Sequence, residues 1–159
     1  MLSFTARGQN SADPAIQANI IYRFTKYVDW PSDKKTGEFI LGVVSDNDLY
    51  IHLTALTANK FVGRQRIIVK KFSPAASSYD CHILFVSERE SGNLKRIAHL
   101  TSRRSILLVS EDNRLIEKGS CINFIIMGER LRLEFGKNNI ESRNLSIASE
   151  LLDLGTIVN

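Results

Sequence analysis

Residues 79–88, YDCHILFVSE, contain the stretch around which the rest of the chain is organised. Its apolar run, Ile83 to Val86, follows a turn-like pair of serines and stops at Ser87-Glu88. A short apolar run bounded in this way is typical of a strand that is buried on both faces of a sheet. We therefore predict a central strand here.

The same pattern of apolar run, serine and acid occurs twice more. Phe39 to Val44 ends in Ser45-Asp46, and Ile106 to Val109 ends in Ser110-Glu111. A serine hydroxyl at such a point can cap a following helix, and an acid in the first turn complements the helix dipole. Three repeats of strand, serine, acid and helix predict a parallel α/β sheet.

Apolar spacing predicts the remaining elements. Asp13 and Pro14 suit the start of a first helix over residues 13–30, and Trp30-Pro31 suits its end. We also expect helices over 48–59 and 90–100, strands over 38–44, 66–72 and 105–109, and a hairpin of 121–127 with 130–135. At 113–118 and 138–143 we expect at most a short helical segment, and at 145–154 a short helix or a strand-like tail.

The expected fold class is therefore single-domain α/β. It is a three-layer sandwich with a mostly parallel sheet, helices on both faces and a C-terminal antiparallel hairpin. Residues 13–159 are expected to form this domain, and residues 1–12 to be a disordered lead-in or the remnant of a signal peptide.

The composition of the chain argues against nucleic-acid binding and against a membrane span. The chain is 43% hydrophobic and 24% charged, and no run approaches the ~20 apolar residues of a membrane span. Its net charge of +4 comes without clusters of basic and aromatic residues. We therefore expect neither a nucleic-acid partner nor a membrane-spanning segment.

The motifs of common enzymes are also missing. Residues 44–48 contain no glycine, so the first predicted strand lacks a phosphate-binding loop. Cys81 and His82 are adjacent, so a strand would point them to opposite faces. We expect no catalytic residue, no cofactor and no metal site. Cys81 and Cys121 are either small buried residues or a disulfide between neighbouring strand starts.

The serine–acid pairs form a candidate ligand site. In a parallel sheet all six residues lie at the carboxyl ends of strands, where open α/β sheets bind ligands. These residues are Ser45, Asp46, Ser87, Glu88, Ser110 and Glu111. Helix capping explains the same residues and is the simpler interpretation.

Five segments, taken in order, resemble the YfiR/HmsC-like family of exported bacterial regulatory proteins. They are ANIIYRFTKYVDWP at 18–31, VGR at 62–64, CHILFVS at 81–87, GSCINF at 119–124 and LSIASELL at 145–152. Each segment alone is mostly a core pattern, but the ordered set is specific. It spans about residues 16–158.

This resemblance implies a periplasmic, non-enzymatic sensor or regulator. Such a protein binds and inhibits a membrane-anchored receptor of the diguanylate-cyclase type in response to an envelope signal. The resemblance also implies a homodimer and redox control, which here rests on a single Cys81–Cys121 bond or is absent.

Two other functions remain open. The first is a small-ligand-binding module that uses the loops at the carboxyl ends of the strands. The second is a cytoplasmic enzyme of the doubly wound type. That enzyme would need a cofactor motif or a nucleophile–base pair, and the sequence contains neither.

Overall fold

The computed structural model describes residues 13–112, 114–128 and 130–159. The helices are α1 (Pro14–Tyr27), α2 (Asn47–Thr57), α3 (Leu94–Thr101), α4 (Lys137–Ser142) and α5 (Ser149–Leu152). Two 3-10 helices cover Ser32–Lys34 and Glu88–Asn93. The strands are β1 (Val28–Asp29), β2 (Phe39–Val44), β3 (Phe61–Val62), β4 (Gln65–Phe72), β5 (Ile83–Val86), β6 (Leu107–Glu111), β7 (Ile122–Met127), β8 (Arg130–Gly136), β9 (Ser146–Ile147) and β10 (Gly155–Val158).

Eight of these strands form one sheet in the order β10-β8-β7-β6-β5-β2-β4-β3. Five neighbouring strands of this sheet run parallel to one another, namely β4, β2, β5, β6 and β7. The next strand, β8, is antiparallel to β7. The predicted C-terminal hairpin is therefore confirmed. The short β1 and β9 pair separately, antiparallel to each other.

The crossovers place helices on both faces of the sheet. The chain passes from β2 through α2 to β4, on one side of β2, and from β5 through α3 to β6, on the other side. Because such crossovers are right-handed, α2 and α3 lie on opposite faces. α1 packs on α2 and so belongs to the same layer. The predicted three-layer α/β fold is thus confirmed, and every residue of β5 is buried.

The first helix is shorter than predicted. Asp13 accepts a hydrogen bond from the Ala15 amide and Pro14 is the first helical residue, as expected. However, α1 ends at Tyr27 and not at Trp30. Val28–Asp29 adopts an extended conformation because it pairs with Ser146–Ile147. This is a long-range contact that local spacing cannot reveal.

The third repeat of strand, serine, acid and helix is also wrong. β6 runs from Leu107 to Glu111, so Ser110 lies within the strand and caps nothing. Turns, not the short helical segment allowed at 113–118, follow in the described residues up to Gly119. Likewise, the helix predicted over 90–100 starts later than expected. Glu88–Asn93 is a 3-10 segment with non-helical backbone angles at Glu90, and α3 starts only at Leu94.

A buried arginine joins the end of α4 to the end of α3 and to the start of β6. Arg143, which follows α4, is 4% exposed. Its guanidinium donates to the carbonyls of Ala98 and Thr101 at the carboxyl end of α3, and to the carbonyl of Ile106 before β6. Helix carbonyls at this end carry the negative end of the dipole, so they suit a buried cation.

We expect Arg143→Met to lower the free energy of unfolding by about 3 kcal/mol, because several buried carbonyls lose their donor. Urea denaturation would measure the loss. The exposed Arg103→Met is the matched control and should change stability by less than about 0.5 kcal/mol. Equal stabilities of the two variants would contradict this role for Arg143.

Candidate functional site

The sheet has a topological switch point between β2 and β5. These two strands are parallel neighbours, with Val44 opposite Val86 at their carboxyl ends. The chain leaves β2 towards β4 and leaves β5 towards β6, so the two following connections diverge. In open α/β sheets the crevice formed by such divergence is where ligands bind.

A cleft of about 450 Å³ opens at this point. Five of the six predicted ligand residues line it: Ser45, Asp46, Ser87, Glu88 and Glu111. The rest of its wall comprises Pro14, Gln17, Asn47, Asp48 and Arg89. The structure therefore brings most of the predicted set together. Whether they bind a ligand stays a prediction.

Ser110 does not reach the cleft. Its side chain is fully buried, and its hydroxyl lies 2.6 Å from that of Ser120 and 2.8 Å from the Asn123 amide oxygen. Asn123 in turn donates to the backbone carbonyl of Asp112. Ser110 thus belongs to a polar network that ties β6 to β7. It adjoins the site without facing it.

Capping accounts for part of the predicted set. The Ser87 hydroxyl accepts from the Arg89 amide at 3.3 Å, and the Asp46 carboxylate accepts from the Leu49 amide at 3.0 Å. Ser45 was also a candidate cap, but it has a positive φ of 58° and its hydroxyl donates to Glu90 at 3.0 Å. This side-chain hydrogen bond ties the loop after β2 to the 3-10 helix after β5.

The helix α1 also contributes to this site, which was not predicted from the sequence. Gln17 is 1% exposed, and its amide donates to the Glu111 carboxylate over 2.6 Å. A glutamine within an apolar helical stripe was the available signal, since a buried amide needs a partner. The bond joins α1 to the end of β6 and fixes one wall of the cleft.

The cleft is predominantly acidic. Burial raises the pKa of Glu88, the nearby Asp112 carboxylate raises it further, and Arg89 opposes both effects. Asp46, Asp48 and Glu111 line the same cleft, so the field there disfavours an anionic ligand. Across the described parts of the chain, no three or more histidine, cysteine or acidic side chains are grouped to hold a metal ion.

The structure does not bring the two cysteines together. Cys81 precedes β5 and Cys121 precedes β7, and β6 lies between those strands. Two strand spacings amount to roughly 10 Å, beyond the reach of a disulfide without backbone movement. Both thiols are free and buried. Burial raises the pKa of Cys81 to about 12, which makes the thiolate scarce.

We expect Gln17→Met to lower the free energy of unfolding by about 2 kcal/mol, because the buried Glu111 carboxylate loses a charge-assisted hydrogen bond. Asn19→Met is the control, because Asn19 is an exposed residue of the same helix whose amide donates only to the Ala15 carbonyl among the described contacts. Denaturant unfolding compares the two. If Asn19→Met costs as much as Gln17→Met, the buried bond contributes nothing.

Comparison with known proteins places the chain in a family. It matches no curated protein sequence. Across the described residues, no helix combines the length and apolar character that crossing a bilayer requires. The model of the YfiR/HmsC-like family matches residues 14–156, which includes nearly all of the sheet and every wall of the cleft. This family is regulatory and non-catalytic, and it supports a role as a periplasmic regulator in general. The chain belongs to the YfiR/HmsC-like family.

Proposed function

We propose that this protein is a periplasmic regulator that binds the periplasmic part of a membrane-anchored receptor of the diguanylate-cyclase type. In the bound state it holds the receptor inactive, and an envelope signal releases it. The family match over residues 14–156 is the observation that carries this proposal.

Such a regulator acts through binding. A signal can shift the balance between bound and free regulator only if it has different affinities for the two states. The cleft at the switch point is one place where a ligand can exert that difference, because its walls come from α1, the segments that follow β2 and β5, and the end of β6. The Gln17–Glu111 hydrogen bond ties α1 to the end of β6, and the Ser45–Glu90 hydrogen bond ties the loop after β2 to the segment after β5.

The proposal includes a homodimer. β10 lies at one end of the sheet, and its Ile157 is 46% exposed. The opposite edge is protected differently, because the short outermost strand β3 covers part of β4, and β4 carries Lys70 and Lys71. Charged residues on an edge discourage strand pairing, whereas β10 has none.

We expect export of the chain to lower cyclic di-GMP several-fold in cells that contain the receptor cyclase. The matched control is the same chain retained in the cytoplasm, where it cannot meet the periplasmic part of the receptor. Calorimetry with the purified periplasmic domain should show direct binding. An unchanged cyclic di-GMP level together with no binding would refute the proposal.

The acidic cleft favours a second candidate function, a small-ligand-binding module without a protein partner. Its location at the switch point and its five converging predicted residues are the specific support. The carboxylates on its walls suit a cationic or neutral polar ligand better than a phosphate.

Thermal denaturation with a panel of amines, amino acids and phosphorylated metabolites tests this candidate. At 100 times its Kd, a ligand adds about 2.7 kcal/mol, which raises the Tm by about 5 °C or more in a domain of this size. Glu88→Gln should reduce the shift, and Glu141→Gln on the exposed face of α4 should not. A shift that Glu88→Gln leaves intact would place the ligand elsewhere.

A further inference from the structure

Residues 31–38 form a mostly exposed strap that crosses the amino ends of the parallel strands, opposite the cleft. The strap contains the 3-10 helix Ser32–Lys34 and leads directly into β2. Its Lys34 carbonyl accepts from the Gln65 amide at 2.9 Å and from the ring of His82 at 2.7 Å. The Lys34 ammonium donates to the Cys81 carbonyl at 2.6 Å.

His82 connects this strap to the sheet. His82 is 6% exposed, and its Nδ1 accepts a hydrogen bond from the Ile40 amide at 3.1 Å. Because Nδ1 accepts, Nε2 must carry the hydrogen that is donated to the Lys34 carbonyl. The ring is therefore neutral, and it bridges the strap and the start of β2 in a single tautomer.

We propose that His82 is an acid-sensitive latch: as a neutral ring it pins the strap to the start of β2, and a proton taken from solvent by Nδ1 unpins it. A protonated Nδ1 is a donor and faces the Ile40 amide, which is also a donor. The ring must then turn away and leave that buried amide without its acceptor.

The charged groups around His82 act in both directions. The Lys34 ammonium repels an imidazolium, whereas the Asp80 carboxylate attracts it. Asp33 and Arg104 face Lys34 itself and have opposite signs. The stacked Phe39 ring, with its centroid 4.3 Å away, also favours a cation.

The disfavouring effects are larger. Burial lowers the pKa of His82 below its ordinary value of 6.5 and Lys34 lowers it further, while the hydrogen bond to the Lys34 carbonyl and Asp80 oppose this. A released ring titrates near the ordinary value. The released state therefore binds the proton more readily, so the latch is complete above pH 6.5 and weakens as the pH falls below it.

One tryptophan reports on the latch. Trp30 is the single tryptophan of the chain, its indole donates to the His82 carbonyl at 3.2 Å, and its ring lies 6.0 Å from the imidazole. A nearby imidazolium quenches indole fluorescence. On acidification of the isolated chain we expect a loss and red shift of Trp30 emission, with a midpoint below pH 6.5 and unchanged far-UV circular dichroism.

His82→Gln should abolish this transition, because a glutamine can accept from Ile40 but takes up no proton. His52→Gln and His99→Gln are matched controls, since these exposed side chains are the other two histidines of the chain. Both controls should keep the transition. A transition that survives His82→Gln, or one that coincides with loss of the circular dichroism signal, would overturn the latch.

Hydrogen–deuterium exchange of the wild-type chain decides the matter if His82→Gln does not fold. After correction for intrinsic rates, residues 31–40 should lose protection at pH 5 relative to pH 7.5, while residues 107–111 of β6 keep theirs. Unchanged protection of residues 31–40 would also overturn the latch.

Acid as the envelope signal rests on the proposed regulatory function. The latch itself does not, because both tests use the isolated chain. Failure of receptor binding would leave these results standing, and failure of the latch would leave receptor binding to be judged on its own.

Discussion

The pairing of β2 with β5 is the constraint on which the rest of the structure depends. Both strands lie in the middle of the sheet, so their side chains need cover on both faces, and α1, α2 and α3 supply it. The same pairing generates two sites at its two ends. At the carboxyl end the diverging connections open the acidic cleft, and at the amino end His82 bonds to the backbone of Ile40, at the start of β2.

The two ends differ in how they are held. At the cleft, side chains bond to one another, as Gln17 does to Glu111, so neighbouring walls are tied while solvent still enters. At the amino end, side chains bond to backbone carbonyls of an exposed strap. These contacts are side-chain hydrogen bonds, so opening them breaks no hydrogen bond between strands.

Most of the central sheet could be predicted because its signals are local. The apolar runs of β2 and β5, the capping Asp13 and the glycine-containing hairpin all depend on neighbours in sequence. The errors have the opposite origin. β1, β9 and β10 form only through pairing with distant residues, and β6 extends to Glu111 because it lies between β5 and β7. Five of the serine–acid residues converge because the strand ends that carry them are local signals. The hydrogen bonds of Gln17 and His82 could not be predicted, because their partners are 94 and 48 residues away, respectively.

The pairing of β1 with β9 has a consequence for the order of folding. Val28 meets Ile147, so the beginning of the domain is fastened only after nearly all of it has been made, and β10 adds to the sheet later still. Contacts of such wide sequence separation slow folding, since the chain must close a long loop before it gains them. The growing chain therefore stays incomplete until its last strands emerge.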